Sequence, residues 1–129
     1  MEQEKYLMDT NAIIDYLGKK FPPDGMKFMN DTIDNGPTLS VISKIELLSF
    51  NTTDEDYQLL LNFMNDSLVL DITNSIVDRS IAIRKSYKTK LPDAIIAGTA
   101  IDYDFVLVTR NNSDFKNIEG LKLINPHNL

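Results

Sequence analysis

The sequence predicts an α/β fold, a central, mostly parallel sheet flanked by helices on both faces, built as a single domain over residues 1–129. Two observations predict it. Short apolar, β-rich runs alternate along the chain with segments of helical spacing, the pattern of strands joined by crossover helices. The 129 residues, 43% hydrophobic and 25% charged, contain no repeat, low-complexity tract or Gly/Pro/Ser-rich linker, so they suit one compact unit with a sizeable core.

Lys5 to Met8 reads as a short buried strand, followed by a helix from about Asn11 to Leu17 that Gly18 and then Phe21-Pro22-Pro23 close. Gly25 to Asp34 reads as a second helix. After the turn residues Asn35-Gly36-Pro37, Thr38 to Val41 is β-like and Ser43 to Phe50 has helical spacing, as does Asp54 to Met64 behind the cap candidates Asn51-Thr52-Thr53. Leu68 to Ile72 is a further β-rich run. Asn74 to Lys85 carries apolar residues at Ile76, Val77, Ile81 and Ile83, and Pro92 to Tyr103 is a helix whose Ala94, Ala97, Gly98 and Ala100 allow close packing. Phe105 to Val108 and Leu121 to Ile124 complete the strands.

Composition then narrows the chemistry. There is no cysteine and one histidine, His127, which removes disulfides, thiolate zinc sites, cysteine nucleophiles and His-based metal clusters. His127 itself reads as a surface residue. A net charge of −6 argues against a protein that grips nucleic acid by bulk electrostatics, leaving local Lys and Arg to do so. No apolar run is long enough to cross a bilayer, and MEQEKYLMD lacks the basic start and apolar core of a signal peptide, so a cytoplasmic protein without membrane contact is expected.

Catalysis, if present, must therefore use carboxylates, hydroxyls or lysines, and four acids occupy telling places. In open α/β sheets ligands bind beyond the carboxyl ends of the strands. Asp9 follows the first strand there, and Asp114 follows Val106-Leu107-Val108 in the same way. Asp93 sits in the first turn of a helix opened by Pro92, and Glu46 borders the apolar arc of Val41, Ile42, Ile45 and Leu48, at the rim of a cleft. Each also has a purely structural role open to it: Asp9 as a helix cap, Asp93 as a partner of the helix dipole worth about 0.3–1 kcal/mol, Glu46 as a solvated border residue, Asp114 as a turn former. Taken together, four acids at one edge repel and must take up protons or share a counter-ion. A hard divalent cation with oxygen ligands, Mg²⁺ or Mn²⁺, suits a set without Cys or His.

The segments LMDTN at Asp9, SKIELL at Glu46, LPDAIIAGTA at Asp93 and LVTRNNSDF at Asp114 together resemble the PIN-domain family, in particular the VapC-type toxin ribonucleases of toxin–antitoxin pairs. The resemblance spans nearly the whole chain in order and spacing. It implies that Asp9, Glu46, Asp93 and Asp114 hold Mg²⁺ or Mn²⁺ for hydrolysis of RNA phosphodiesters by an activated water, with Asn11 and Thr109 in support. One departure stands out: many relatives carry an aspartate directly after the Thr-Arg pair, where this chain has Asn111, so the fourth carboxylate rests on Asp114 and a second metal position is in question. The resemblance also implies a homodimer and a cognate antitoxin protein that covers the acids.

Substrate contacts are expected from Arg84, Lys85, Lys88 and Lys90, just before Asp93, and from Arg110, with Lys44 a weaker candidate. The same cations also suit a solvated helix end. Asp15, one helical turn after Asn11, is a possible extra acid at the cleft. Phe21, Met26, Phe28, Met29 and Ile33 exceed what a short surface helix needs, and Tyr57 to Met64 is rich in Leu and Phe. These stripes suit the core or a partner surface.

Three other readings compete. A receiver-type signalling domain needs an acidic pair after its first strand and a lysine ending a late one, where this chain has Asp9-Thr10 and Thr109-Arg110. A haloacid-dehalogenase-like phosphatase needs a second aspartate where Asn11 stands. A catalytically inactive PIN-like module that binds RNA or protein matches the same residues and differs only in metal geometry.

Overall fold

The computed structural model describes residues 4–129, so residues 1–3 of the expected domain lie outside the described residues. The elements run β1 (Tyr6–Met8), α1 (Thr10–Leu17), α2 (Pro23–Asp34), β2 (Thr38–Ser40), α3 (Val41–Leu48), α4 (Asp54–Asn65), β3 (Leu68–Leu70), α5 (Asn74–Ser86), α6 (Leu91–Tyr103), β4 (Val106–Val108), α7 (Asn112–Phe115) and β5 (Lys122–Ile124), closed by a 3-10 turn at Pro126–Asn128. This is the α/β alternation the sequence predicts.

Each strand ladder is parallel. β4 lies between β1 and β5, with Leu7, Leu107 and Leu123 in register, and β2 pairs with β3. β2 also packs beside β1, so the two ladders adjoin across a seam. Side chains alternate between the faces of a strand, and the core divides accordingly. Leu7 and Leu107 join Ile83, Ala94, Ala97, Ala100 and Phe115 from α5, α6 and α7. Met8 and Val108 join Ala12, Ile13, Met29, Leu39 and Phe63 from the opposite layer. Both faces are covered, which is why these strands are apolar runs rather than alternating ones.

The small residues of α6 serve the packing expected of them. A Cβ on Gly98 would sit 3.1 Å from Ser80 Oγ of α5, so the two helices meet at a distance only glycine permits without adjustment. Hydroxyl caps start several helices: Thr53 Oγ1 accepts from Asp56 N at 3.2 Å and Thr73 Oγ1 from Ile76 N at 3.2 Å.

Two local expectations change. Ser40 Oγ accepts from Ile42 N at 3.1 Å, so α3 starts at Val41 and not Ser43, and the strand before it is correspondingly short. The loop expected around Asp114 contains the short helix α7, and the chain ends in a 3-10 turn that periodicity did not signal. The apolar stripe of α2 and the preceding Phe21 serves the core, as such spacing ordinarily does: Phe21 and Met29 are buried, and the half-buried Met26, Phe28 and Ile33 pack against them.

Candidate active site

β1 delivers Asp9 to the edge of the sheet, and three donors then fix its carboxylate. Asp9 is the N-cap of α1, with Oδ1 accepting from Thr10 N at 2.8 Å, while Oδ2 accepts from Thr109 Oγ1 at 2.8 Å and Asn11 Nδ2 at 3.1 Å. Asn11 cannot flip without loss, because its Oδ1 accepts from Arg110 N at 3.0 Å. Thr109 and Asn11 are both buried. The strand-exit residues of β1 and β4 are thereby tied to each other across 100 positions of sequence. The capping role and a site role thus coexist in Asp9. Burial raises its pKa, opposed by the hydrogen bonds from Thr109, Thr10 and Asn11, and the charge of Glu46 adds to the rise.

The other three acids share this neighbourhood. Asp93 stands in the first turn of α6, behind Lys90 at the N-cap. Its carboxyl is pushed up from 3.8 to about 6, chiefly by partial burial and then by the negative charges of Asp9, Asp114 and Glu46, with only Lys90 opposing. The charges of three acids, from the exit of β1, from α3 and from α7, thus reach Asp93 on α6. Glu46 and Asp114 are exposed side chains, but Glu46 Oε1 accepts from the Thr10 hydroxyl while Asp9 is held by three donors. Among the described residues no three His, Asp or Glu groups converge tightly enough to grip an ion as they stand.

The chemistry of the set fits a hard cation. Every donor is a carboxylate or neutral oxygen, suiting Mg²⁺ or Mn²⁺ over zinc, and a cation would offset the negative charges that, after burial, push the Asp93 carboxyl up.

The expected substrate cations are placed unequally. Lys90 acts directly on Asp93. Lys85 and Lys88 are exposed on the approach to α6, and Arg84 lines a shallow apolar depression of about 150 Å³ with Ile72, Val77, Ile81, Leu91 and Ile95. Lys44 is exposed on α3. The Arg110 guanidinium is engaged: Nη1 donates to Asp15 Oδ1 at 3.0 Å and Oδ2 at 3.3 Å, although half of the side chain stays exposed. Asn111 donates its N–H to Thr109 Oγ1 at 3.0 Å and so helps to hold the residue that holds Asp9.

Two expectations are corrected here. Asp15 is not an acid at the open cleft: it is 1% exposed and satisfied by Arg110 and by His127 Nε2 at 2.9 Å. His127 is accordingly no surface bystander. Its ring, 28% exposed, packs on Phe21 with centroids 4.4 Å apart and closes the C-terminal turn over α1. The sequence reading also passed over Thr10 and Ser43. Thr10 Oγ1 lies 2.7 Å from Glu46 Oε1 and 3.0 Å from Ser43 Oγ, and a hydroxyl beside a strand-exit acid is too common a pattern to single out unaided.

A family model described as the PIN domain matches residues 6–121. No curated protein matches the chain. Among solved structures, the chain is similar to a toxin–antitoxin complex from Klebsiella pneumoniae, at 30% identity over 95% of this chain and 98% of that one, with a TM-score of 0.74. It shares the fold of VapBC2 from Rickettsia felis bound to a promoter DNA fragment, at 24% identity over 93% and 97% of the two chains and a TM-score of 0.77. It likewise shares the fold of DNA-bound VapBC from Salmonella typhimurium, at 22% identity, 96% and 99% coverage and a TM-score of 0.79.

Proposed function

The chain belongs to the PIN-domain family, and from that premise we propose that it is a VapC-type toxin, a cytoplasmic endoribonuclease that uses Mg²⁺ or Mn²⁺ and is restrained by a cognate antitoxin. The observation that carries this reading is the neighbourhood around Asp93, where Asp9, Glu46 and Asp114 each raise its affinity for a proton. A scaffold that only binds has no need to bear that repulsion.

In this reading Asp9, Glu46, Asp93 and Asp114 hold the cation. When bound, it lowers the pKa of a water and offsets charge on the phosphate. The chain's own residues do the rest. Thr109, Asn11 and the Thr10 amide keep the Asp9 carboxylate in one orientation, so one ligand is in place before substrate arrives. Lys90, with Lys85 and Lys88 on the same approach, meets the flanking RNA phosphates, and the exposed part of Arg110 adds to them beyond β4, while Arg84 belongs to the apolar depression between α5 and α6. No covalent intermediate is required of the protein.

Cleavage of RNA by the purified full chain tests the reading. Cutting is expected with Mg²⁺ or Mn²⁺ and is expected to stop with EDTA. Cutting that survives EDTA would contradict the metal mechanism, and RNA binding without cutting under any cation would favour the inactive module instead.

For self-association, α5 and α6 supply the surface that α2 does not. Val77, Ile81 and Leu91 are 42%, 51% and 53% exposed around the apolar depression. We assign the homodimer contact to this face. The double variant Ile81→Glu, Leu91→Glu is expected to sediment as a monomer while the parent sediments as a dimer. Identical sedimentation of the two would rule this face out. Ile14 on α1 and Ile45 on α3, exposed beside the elements carrying Asp9 and Glu46, are the proposed antitoxin contacts.

A further inference from the structure

Glu46 is an exposed side chain with many accessible rotamers, yet its Oε1 is held by a hydroxyl from another element. Thr10 Oγ1 lies 2.7 Å from that oxygen and 3.0 Å from Ser43 Oγ. A hydroxyl has one proton to give. Since an ionised carboxylate only accepts, Thr10 must donate to Glu46, and the contact with Ser43 must run the other way, from the Ser43 hydroxyl to Thr10. Ser43 is fully buried, stands on α3 three residues before Glu46, and makes no other side-chain hydrogen bond among the described residues. The direction of the chain is therefore set: Ser43 to Thr10 to Glu46. Hydrogen bonds aligned in this way polarise and strengthen one another, most of all where they end on a charge.

Thr10 also donates its backbone N–H to Asp9 Oδ1 at 2.8 Å. One residue thus touches two of the acids, from its backbone on one side and its side chain on the other. Glu46 Oε2 accepts no hydrogen bond among the described residues, so it is the oxygen left available. We infer that Thr10 and Ser43 are positioning residues, a hydroxyl relay that sets Glu46 to share a divalent cation with Asp9. The inference rests on reading the acids as a cation site, as proposed above.

The test is Mn²⁺ binding, followed by electron paramagnetic resonance or calorimetry, for the full-length wild type and the Thr10→Val, Thr10→Ser and Ser43→Ala variants, with RNA cleavage in parallel. Valine matches threonine in shape and lacks the donor. Thr10→Val is expected to weaken Mn²⁺ binding about tenfold or more, the range for losing an outer partner of a metal ligand. Thr10→Ser should restore most of it, and Ser43→Ala should shift it in the same direction as valine. Mn²⁺ affinity in Thr10→Val indistinguishable from wild type, or no recovery in Thr10→Ser, overturns the relay. Should Thr10→Val not fold, Ser43→Ala decides, and unchanged affinity there overturns it equally. A wild type that neither binds Mn²⁺ nor cuts RNA strikes the nuclease reading, an outcome separate from any of these.

Discussion

Asp93→Asn is expected to abolish RNA cleavage and, in the absence of metal, to make the protein more stable. The loss of activity should reach about 100-fold or more, the upper end of what even an outer partner of a metal site costs when removed. The gain in stability follows from the electrostatics of the apo site. Folding raises the Asp93 pKa from 3.8 to about 6. Between those values the folded chain keeps a proton that the unfolded chain has released, so stability falls as pH rises through the window. Below it both states are protonated and no cost remains, and above it the full cost applies. For a half-exposed group screened by water this amounts to about 1 kcal/mol. Asparagine carries no charge to repel, so thermal unfolding in EDTA at neutral pH should shift upward by a few degrees, and the difference should vanish at acid pH. Mn²⁺ should stabilise the wild type and leave the variant unmoved. A variant less stable than wild type in EDTA would mean that Asp93 is held by structural contacts rather than strained by its neighbours.

Gly25→Ala is expected to destabilise the fold by about 2 kcal/mol net, against the sign that helix propensity predicts. Gly25 lies inside α2, where alanine ordinarily gains about 1 kcal/mol over glycine. Here a Cβ would collide with the Pro126 carbonyl oxygen and stand 2.9 Å from its carbon, both backbone atoms. The C-terminal turn would have to retreat. Its retreat would pull His127 from Asp15 and from the face of Phe21, leaving a buried carboxylate with Arg110 alone. Urea unfolding reads the effect directly, and a variant as stable as the parent would show that the turn yields without loss. Since Arg110 N also holds Asn11, and Asn11 holds Asp9, a loosened turn should carry some loss of Mn²⁺ affinity with it.

Particular residues show how far the sequence reading reached. Pro92 opening a helix put Asp93 in its first turn without reference to any other part of the chain, and the structure has it there. Asp9 as a helix cap was equally local, and so was Thr53. His127 and Asp15 are different. They stand 112 residues apart, and neither has a neighbour in sequence that announces the other, so sequence alone marks His127 as a surface residue and Asp15 as an extra acid at the cleft. Arg110, marked as a phosphate contact because it follows a strand exit, spends part of its guanidinium on Asp15 for the same reason. The α2 stripe was legible as a buried face and is one, but apolar spacing does not say whether the protein's own core or a partner does the burying.

By itself the sequence determined the α/β alternation, the parallel sheet, and the four acids at strand exits and helix starts, because these depend on residue period and on caps that act within a few residues. Tertiary structure alone decided that Asp9, Glu46 and Asp114 stand close enough to act on Asp93, that the Thr10 hydroxyl meets both Glu46 and Ser43, and that the C-terminal turn brings His127 onto Asp15. Those are facts of distance between side chains far apart in the chain, and Coulomb and hydrogen-bond energies depend on distance in space.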